Sequence, residues 1–179
     1  MNYMKFNKYS LLVISIIVLA GCAPAKTEKV NFIDGDTFAP VLSEQGFSSE
    51  ELVLKALARI DNIDKGGPNL QSVLSINPKA LEIAQKLDAK VEEGYKYSPL
   101  YGKPILIKDN VETKDDLPTT GGSWALINNK NNRDSPIVKK LRDSGAVILG
   151  KTNLSQWANF RSESSTSGWS AVRGQVKNP

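Results

Sequence analysis

The chain has 179 residues, with ordinary hydrophobic and charged fractions, enough for one domain with a substantial core. Its formal charge is +4, and no basic patch with interleaved aromatics stands out, so nucleic-acid binding is not indicated. Histidine is absent and Cys22 is the only cysteine, which excludes Ser-His-Asp chemistry, Cys-His proteolysis, His-ligated zinc and a disulfide framework within the chain. A hydrolytic mechanism therefore needs another base, and lysine is the obvious candidate.

Residues 1–21 read as a signal peptide. Lys5 and Lys8 form a positive start, and the run from Leu11 to Ala20 is apolar. Ten helical residues span ~15 Å, about half the hydrocarbon core of a bilayer, which is too short for an ordinary span. Leu19-Ala20-Gly21-Cys22 resembles the bacterial lipobox, in which cleavage precedes an acylated cysteine. That resemblance implies lipidation at Cys22 and a place on the extracytoplasmic face of a bacterial membrane. Loss of the two leader lysines leaves 21 basic against 19 acidic residues. Residues 22–36 are polar and suit a tether, and residues 37–179 form the domain.

The domain opens on a helix. Ser48 and Glu51 have capping-box spacing, and Val53, Ala56, Leu57 and Ile60 recur on one face. Residues 61–69, with Gly66-Gly67-Pro68, read as a loop, and residues 70–76 as a strand. Asn77-Pro78 reads as the N-cap and first residue of a second helix, with Leu81, Ala84, Leu87 and Val91 on its apolar face and an end near Gly94. Ile105-Leu106-Ile107, opened by Pro104, reads as a buried strand. Lys108 stands where that strand emerges, beside the turn-prone pair Asp109-Asn110, and desolvation there would favour its neutral, basic form. Helices alternating with strands predict an α/β architecture.

Gly145-Ala-Val-Ile-Leu-Gly-Lys-Thr152 fits the phosphate-loop pattern letter for letter. The pattern works only where a strand ends before the first glycine and a helix begins at the lysine. Here Ser135-Pro136 opens a helix that Gly145 closes, and residues 146–149 are themselves a strand. No nucleotide is therefore expected, and Lys151→Ala should matter little for any ligand.

Taken together, Leu100-Tyr-Gly-Lys-Pro-Ile-Leu-Ile-Lys-Asp-Asn110, Thr119-Thr-Gly-Gly-Ser123, the run from Val138 to Leu154, and Ser167-Gly-Trp-Ser170 through Asn178-Pro179 resemble the amidase signature family. The stretch from Leu57 to Leu87 matches more loosely. The resemblance implies an α/β/α sandwich around a mixed sheet, incomplete at its C-terminal side, and hydrolysis of amide carbon–nitrogen bonds without metal or cofactor. It implies a catalytic unit of a lysine, a serine after a cis peptide bond, and a nucleophilic serine. Lys108 matches the lysine, and residues 158–160 (Ala158, Asn159, Phe160) match a segment lining the substrate cleft.

Both serines of that unit fall beyond Asn178-Pro179 in the family, so the chain is expected to be an N-terminal part that hydrolyses nothing alone. No Ser-x-x-Lys pair and no Gly-x-Ser-x-Gly elbow offers a substitute among Ser123 and the serines at 162, 164, 165, 167 and 170. The alternative is a non-catalytic, membrane-anchored lipoprotein that uses the half-fold for binding or structure.

Overall fold

The computed structural model describes residues 46, 48–92, 98–160 and 162–178. Signal peptide, Cys22 and tether lie outside the described residues, as does the expected helix end near Gly94.

Helix α1 (Ser49–Arg59) starts where the sequence places it: the Ser48 hydroxyl accepts from the Glu51 N–H, and the Glu51 carboxylate accepts from the Ser48 N–H. The chain does not loop at Asp61. It continues as a π-helical turn, Ile60–Lys65, whose last turn buries Asp64. The cause lies downstream: the Asp64 carboxylate accepts from the Ser72 N–H and hydroxyl and from the Val73 N–H, tying the helix end to the first strand.

Strand β1 (Val73–Ile76) leads to helix α2 (Ala80–Glu92). Asn77 does cap, since its side-chain oxygen accepts from the Lys79 N–H, but Pro78 and Lys79 form a turn before the helix proper. Leu81, Ala84 and Leu87 pack inward as expected, whereas Val91 is exposed. Strand β2 (Pro104–Lys108), helix α3 (Pro136–Asp143) and strand β3 (Val147–Thr152) follow. Ser135 is the N-cap of α3 and Pro136 opens it. Gly145, at φ +80, closes its end with its N–H on the Arg142 carbonyl.

The sheet is mixed, in the order β1-β3-β2, with β1 antiparallel and β2 parallel to β3. Val53 and Ile60 from the first helical segment and Ala80 and Ala84 from α2 and its start pack on Val73, Val147 and Leu149. On the other face Val138 of α3 packs on Ile107 and Ile148. Helices thus cover both faces of an α/β fold. A two-stranded ribbon, β4 (Trp169–Ser170) with β5 (Gly174–Gln175), stands apart from this sheet.

One irregularity decides where the site's lysines point. Ile105 pairs with Ile148, but Leu106 pairs with Gly150, so β3 carries an extra residue at Leu149. Strict alternation from Ile148 would put Lys151 on the opposite face; the bulge puts it beside Ile107, on the α3 side. The crossing is tight there: a Cβ on Gly150 would lie 2.1 Å from the Ser75 carbonyl oxygen, so glycine is required.

Candidate active site

Lys108 is the last residue of β2, opposite Thr152 of β3, and its side chain is exposed. The expected desolvation of Lys108 is therefore not seen, and the buried amine is that of Lys151, inside the neighbouring strand. Lys151 is 0% exposed, and its Nζ donates to the Val111 carbonyl at 2.6 Å and to the Thr119 hydroxyl at 3.0 Å. The sequence pattern gives no sign of this, because β3 reads as an apolar strand in which a lysine would end burial. The strand expected at 146–149 runs over Val147–Thr152, so Gly150, Lys151 and Thr152 of the phosphate-loop pattern lie within β3, and the burial of Lys151 removes the expectation that its replacement matters little.

The residue after Lys108 is equally buried. Asp109 is 0% exposed; its Oδ2 accepts from the Thr120 N–H at 3.1 Å and from the Thr120 hydroxyl. Its backbone carbonyl accepts from the Gly121 N–H at 3.0 Å, and its N–H donates to the Thr152 carbonyl at 3.2 Å. The Thr120 hydroxyl in turn accepts from the Gly122 N–H at 2.9 Å. Gly121 and Gly122 both have positive φ, and a Cβ on Gly121 would press on the Trp157 ring at 3.3 Å. The loop at 119–123 is therefore wrapped around Asp109, the residue that follows Lys108.

Burial is the main influence on both buried charges. It pushes the Asp109 carboxyl above its ordinary 3.8, against the Thr120 hydroxyl and N–H, the Lys151 charge and the Gly122 N–H. It pushes the Lys151 amine below its ordinary 10.5, against the attraction of Asp109, Asp115 and Glu112. The consequence for folding has a definite sign. Just above 3.8 the folded state keeps an Asp109 proton that the unfolded chain has released, so stability falls as pH rises through the raised value. Just below 10.5 the folded state has lost a Lys151 proton that the unfolded chain keeps, so stability rises with pH from the lowered value up to 10.5. Urea denaturation across pH should show Asp109→Asn flattening the acid slope and Lys151→Met flattening the alkaline one. Profiles parallel to the parent protein's would contradict this account of the two groups.

The hydroxyls of Ser123, Ser162, Ser165, Ser167 and Ser170 are engaged elsewhere, whereas those of Ser75 and Ser135 are buried without a hydrogen-bond partner. Ser123 Oγ accepts from the Ala125 N–H, and Ser170 Oγ, fully buried, donates to Asn153 Oδ1 at 2.7 Å. Ser162 Oγ accepts from the Ser164 N–H, Ser165 Oγ donates to the Ser162 carbonyl, and Ser167 Oγ accepts from Asn159 Nδ2. No serine hydroxyl among the described residues is hydrogen-bonded to Lys108 or Lys151.

Residues 157–159 form a second unusual piece of backbone. Trp157, Ala158 and Asn159 have φ of 51°, 52° and 65°, a run of left-handed residues without glycine. Each such residue costs of order 1–3 kcal/mol and persists only where its surroundings hold it. Here the Trp157 N–H donates to the Gly121 carbonyl at 3.0 Å, which ties the run to the loop around Asp109. A cavity of about 360 Å³ opens against it, lined by Gln156, Trp157, Asn159, Ser165, Thr166 and Trp169. Of the expected cleft residues, Asn159 lines this cavity, Ala158 carries the strained turn, and Phe160 is 78% exposed.

Comparison with known proteins gives this arrangement a family. Residues 51–179 match the model of the family described as Amidase. The chain belongs to the amidase family. A probable amidase of Arabidopsis thaliana is 45% identical over 137 residues, covering 74% of this chain and 27% of that protein. A glutamyl-tRNA(Gln) amidotransferase component from Bdellovibrio bacteriovorus is 32% identical over 150 residues, covering 84% and 29%. The native peptide amidase of Stenotrophomonas maltophilia matches in structure with a TM-score of 0.73 at 43% identity, over 80% of this chain and 29% of that one. An amidase family protein from Bacillus anthracis gives 0.72 and 41%, over 80% and 28%. The chain thus spans less than a third of the length of these amidase-family relatives.

Proposed function

We propose that this chain is the N-terminal part of a hydrolase of amide carbon–nitrogen bonds, in which Lys108 is the base of a Ser-cisSer-Lys unit and both serines lie in the part of the relatives that this chain does not span. The observation that carries the reading is the placement of Lys108. It leaves a parallel strand at its carboxyl end, the position where open α/β sheets bring side chains to a ligand, and its side chain is free to meet a further segment. Its carbonyl accepts from the Val111 N–H, which closes the turn that follows it.

In the assembled site the neutral amine of Lys108 takes the proton of the first serine hydroxyl. That serine deprotonates the second, whose oxygen attacks the amide carbon, and the proton returns to the departing amine. Packing of the absent segment over Lys108 supplies the desolvation that its exposed side chain does not have here. The left-handed turn and cavity at 157–159 face the substrate, a small molecule or a peptide amide. The peptide amidase likeness supports the second class. Assay of a form continued to the length of the relatives, with and without Lys108, tests the reading.

The anchor is proposed on sequence alone, from the positive start, the short apolar run and Leu19-Ala20-Gly21-Cys22. Cells supplied with a labelled fatty acid should tag the parent protein and not Cys22→Ser. Equal labelling of the two would remove the anchor from the proposal.

A further inference from the structure

Lys151 has no role in the proton transfers above, yet its amine is the point at which the two loops flanking the site meet. The Lys108 carbonyl accepts from the Val111 N–H at 2.9 Å, closing the turn after β2. The carbonyl of that same Val111 accepts from Lys151 Nζ. The second acceptor, the Thr119 hydroxyl, opens the loop that wraps Asp109, and Thr119 is itself fixed by bonds to Asn129 from its N–H and its carbonyl, both 2.9 Å. One side chain therefore bonds two segments at sequence distances of 40 and 32 residues.

We propose that Lys151 is a positioning residue for Lys108: its buried amine clamps the 109–111 turn to the 119–123 loop and so fixes the direction in which the Lys108 side chain leaves β2. This rests on the reading of Lys108 as the base. The clamp requires a donor with at least two N–H groups on a long stem. Methionine fills the stem and donates nothing. Glutamine donates twice from a stem one atom shorter. Packing alone therefore ranks Lys151→Met above Lys151→Gln, and a donor clamp ranks them the other way.

The first test uses the 179-residue chain. Amide hydrogen exchange is followed at Val111, Thr119 and Gly121, with the amides of β1 and α1 and the far-ultraviolet circular dichroism as controls for the fold. Lys151→Met should speed exchange at the three loop amides by about tenfold or more beyond whatever change the core amides show, and Lys151→Gln should restore part of the protection. Thr119→Val, which removes one acceptor and keeps the lysine, serves if Lys151→Met does not fold, and should loosen Thr119 and Gly121 more than Val111. The second test uses the longer, active form. Lys151→Met should lower kcat by about a hundredfold with KM nearly unchanged, as expected when a reacting group is misplaced and substrate contacts are not.

Unchanged exchange, or methionine protecting as well as glutamine, overturns the clamp. Loosened loops with an unchanged kcat overturn its bearing on Lys108. Should Lys108→Ala leave the longer form active, the base assignment fails, while the exchange measurements still decide whether the clamp exists.

Discussion

Replacing Lys108 by alanine is expected to lower kcat/KM by at least about four orders of magnitude in a form of the protein that carries both serine loops. The size follows from the cooperation of a proton-relay unit. Once the base is gone the first serine cannot take a proton from the second, so losing one member costs nearly as much as losing all. Lys103→Ala is the matched control. Lys103 precedes β2, and its carbonyl accepts from the Val147 N–H, a backbone bond that alanine keeps. Most activity should survive there. The 179-residue chain itself should give only background hydrolysis, because the hydroxyls of Ser123, Ser162, Ser165, Ser167 and Ser170 serve local hydrogen bonds and no serine hydroxyl among the described residues is bonded to Lys108. Oxyanion donors, each worth about 3–4 kcal/mol of barrier, are also expected in the absent part. Circular dichroism of every variant separates inactivity from unfolding. Turnover by the 179-residue chain that is lost on Lys108→Ala would place the nucleophile inside this chain and overturn the assignment of the serines.

The sequence is most legible where structure is local. The Ser48–Glu51 capping box, Pro136 at the start of α3 and Gly145 at its end involve neighbours a few residues apart, and each takes its expected place. The mixed sheet and the family follow from several ordered blocks, which no single motif could supply. What the sequence hides is whatever depends on distant register. Asp61 and its neighbours read as loop because the partners of Asp64 stand at Ser72 and Val73, beyond two glycines and a proline. Lys151 reads as the emerging end of a strand because the bulge at Leu149, which turns it inward, depends on pairing with β2 some 40 residues away. The sequence points to Lys108 as the desolvated amine, but the fold buries Lys151, within the neighbouring strand, and leaves Lys108 exposed.

That difference has a large consequence for stability. Lys151→Ala is expected to destabilise the 179-residue chain by about 3–5 kcal/mol, the cost typical of removing one member of a buried charged set. Three losses add in the same direction. The Val111 carbonyl and the Thr119 hydroxyl lose their donor at part-buried and buried positions, the stem leaves a void beside Ile107, and Asp109 loses the favourable charge of Lys151. Asp109 recovers part of the last loss by taking up a proton, which its raised pKa makes easier. Lys151→Met keeps the stem volume and should cost only about 1–2 kcal/mol, mostly the two hydrogen bonds. A midpoint lower by about 10–20 °C for alanine, and by much less for methionine, is the thermal equivalent. Lys86→Ala provides the contrast. Lys86 pairs with Glu82 at 2.6 Å on the open face of α2, with both side chains more than half exposed, and its loss should be barely measurable. Urea denaturation of the three variants beside the parent protein gives the ranking directly. If Lys151→Ala unfolds at the same denaturant concentration as Lys86→Ala, the amine reaches water in solution and the buried clamp does not exist.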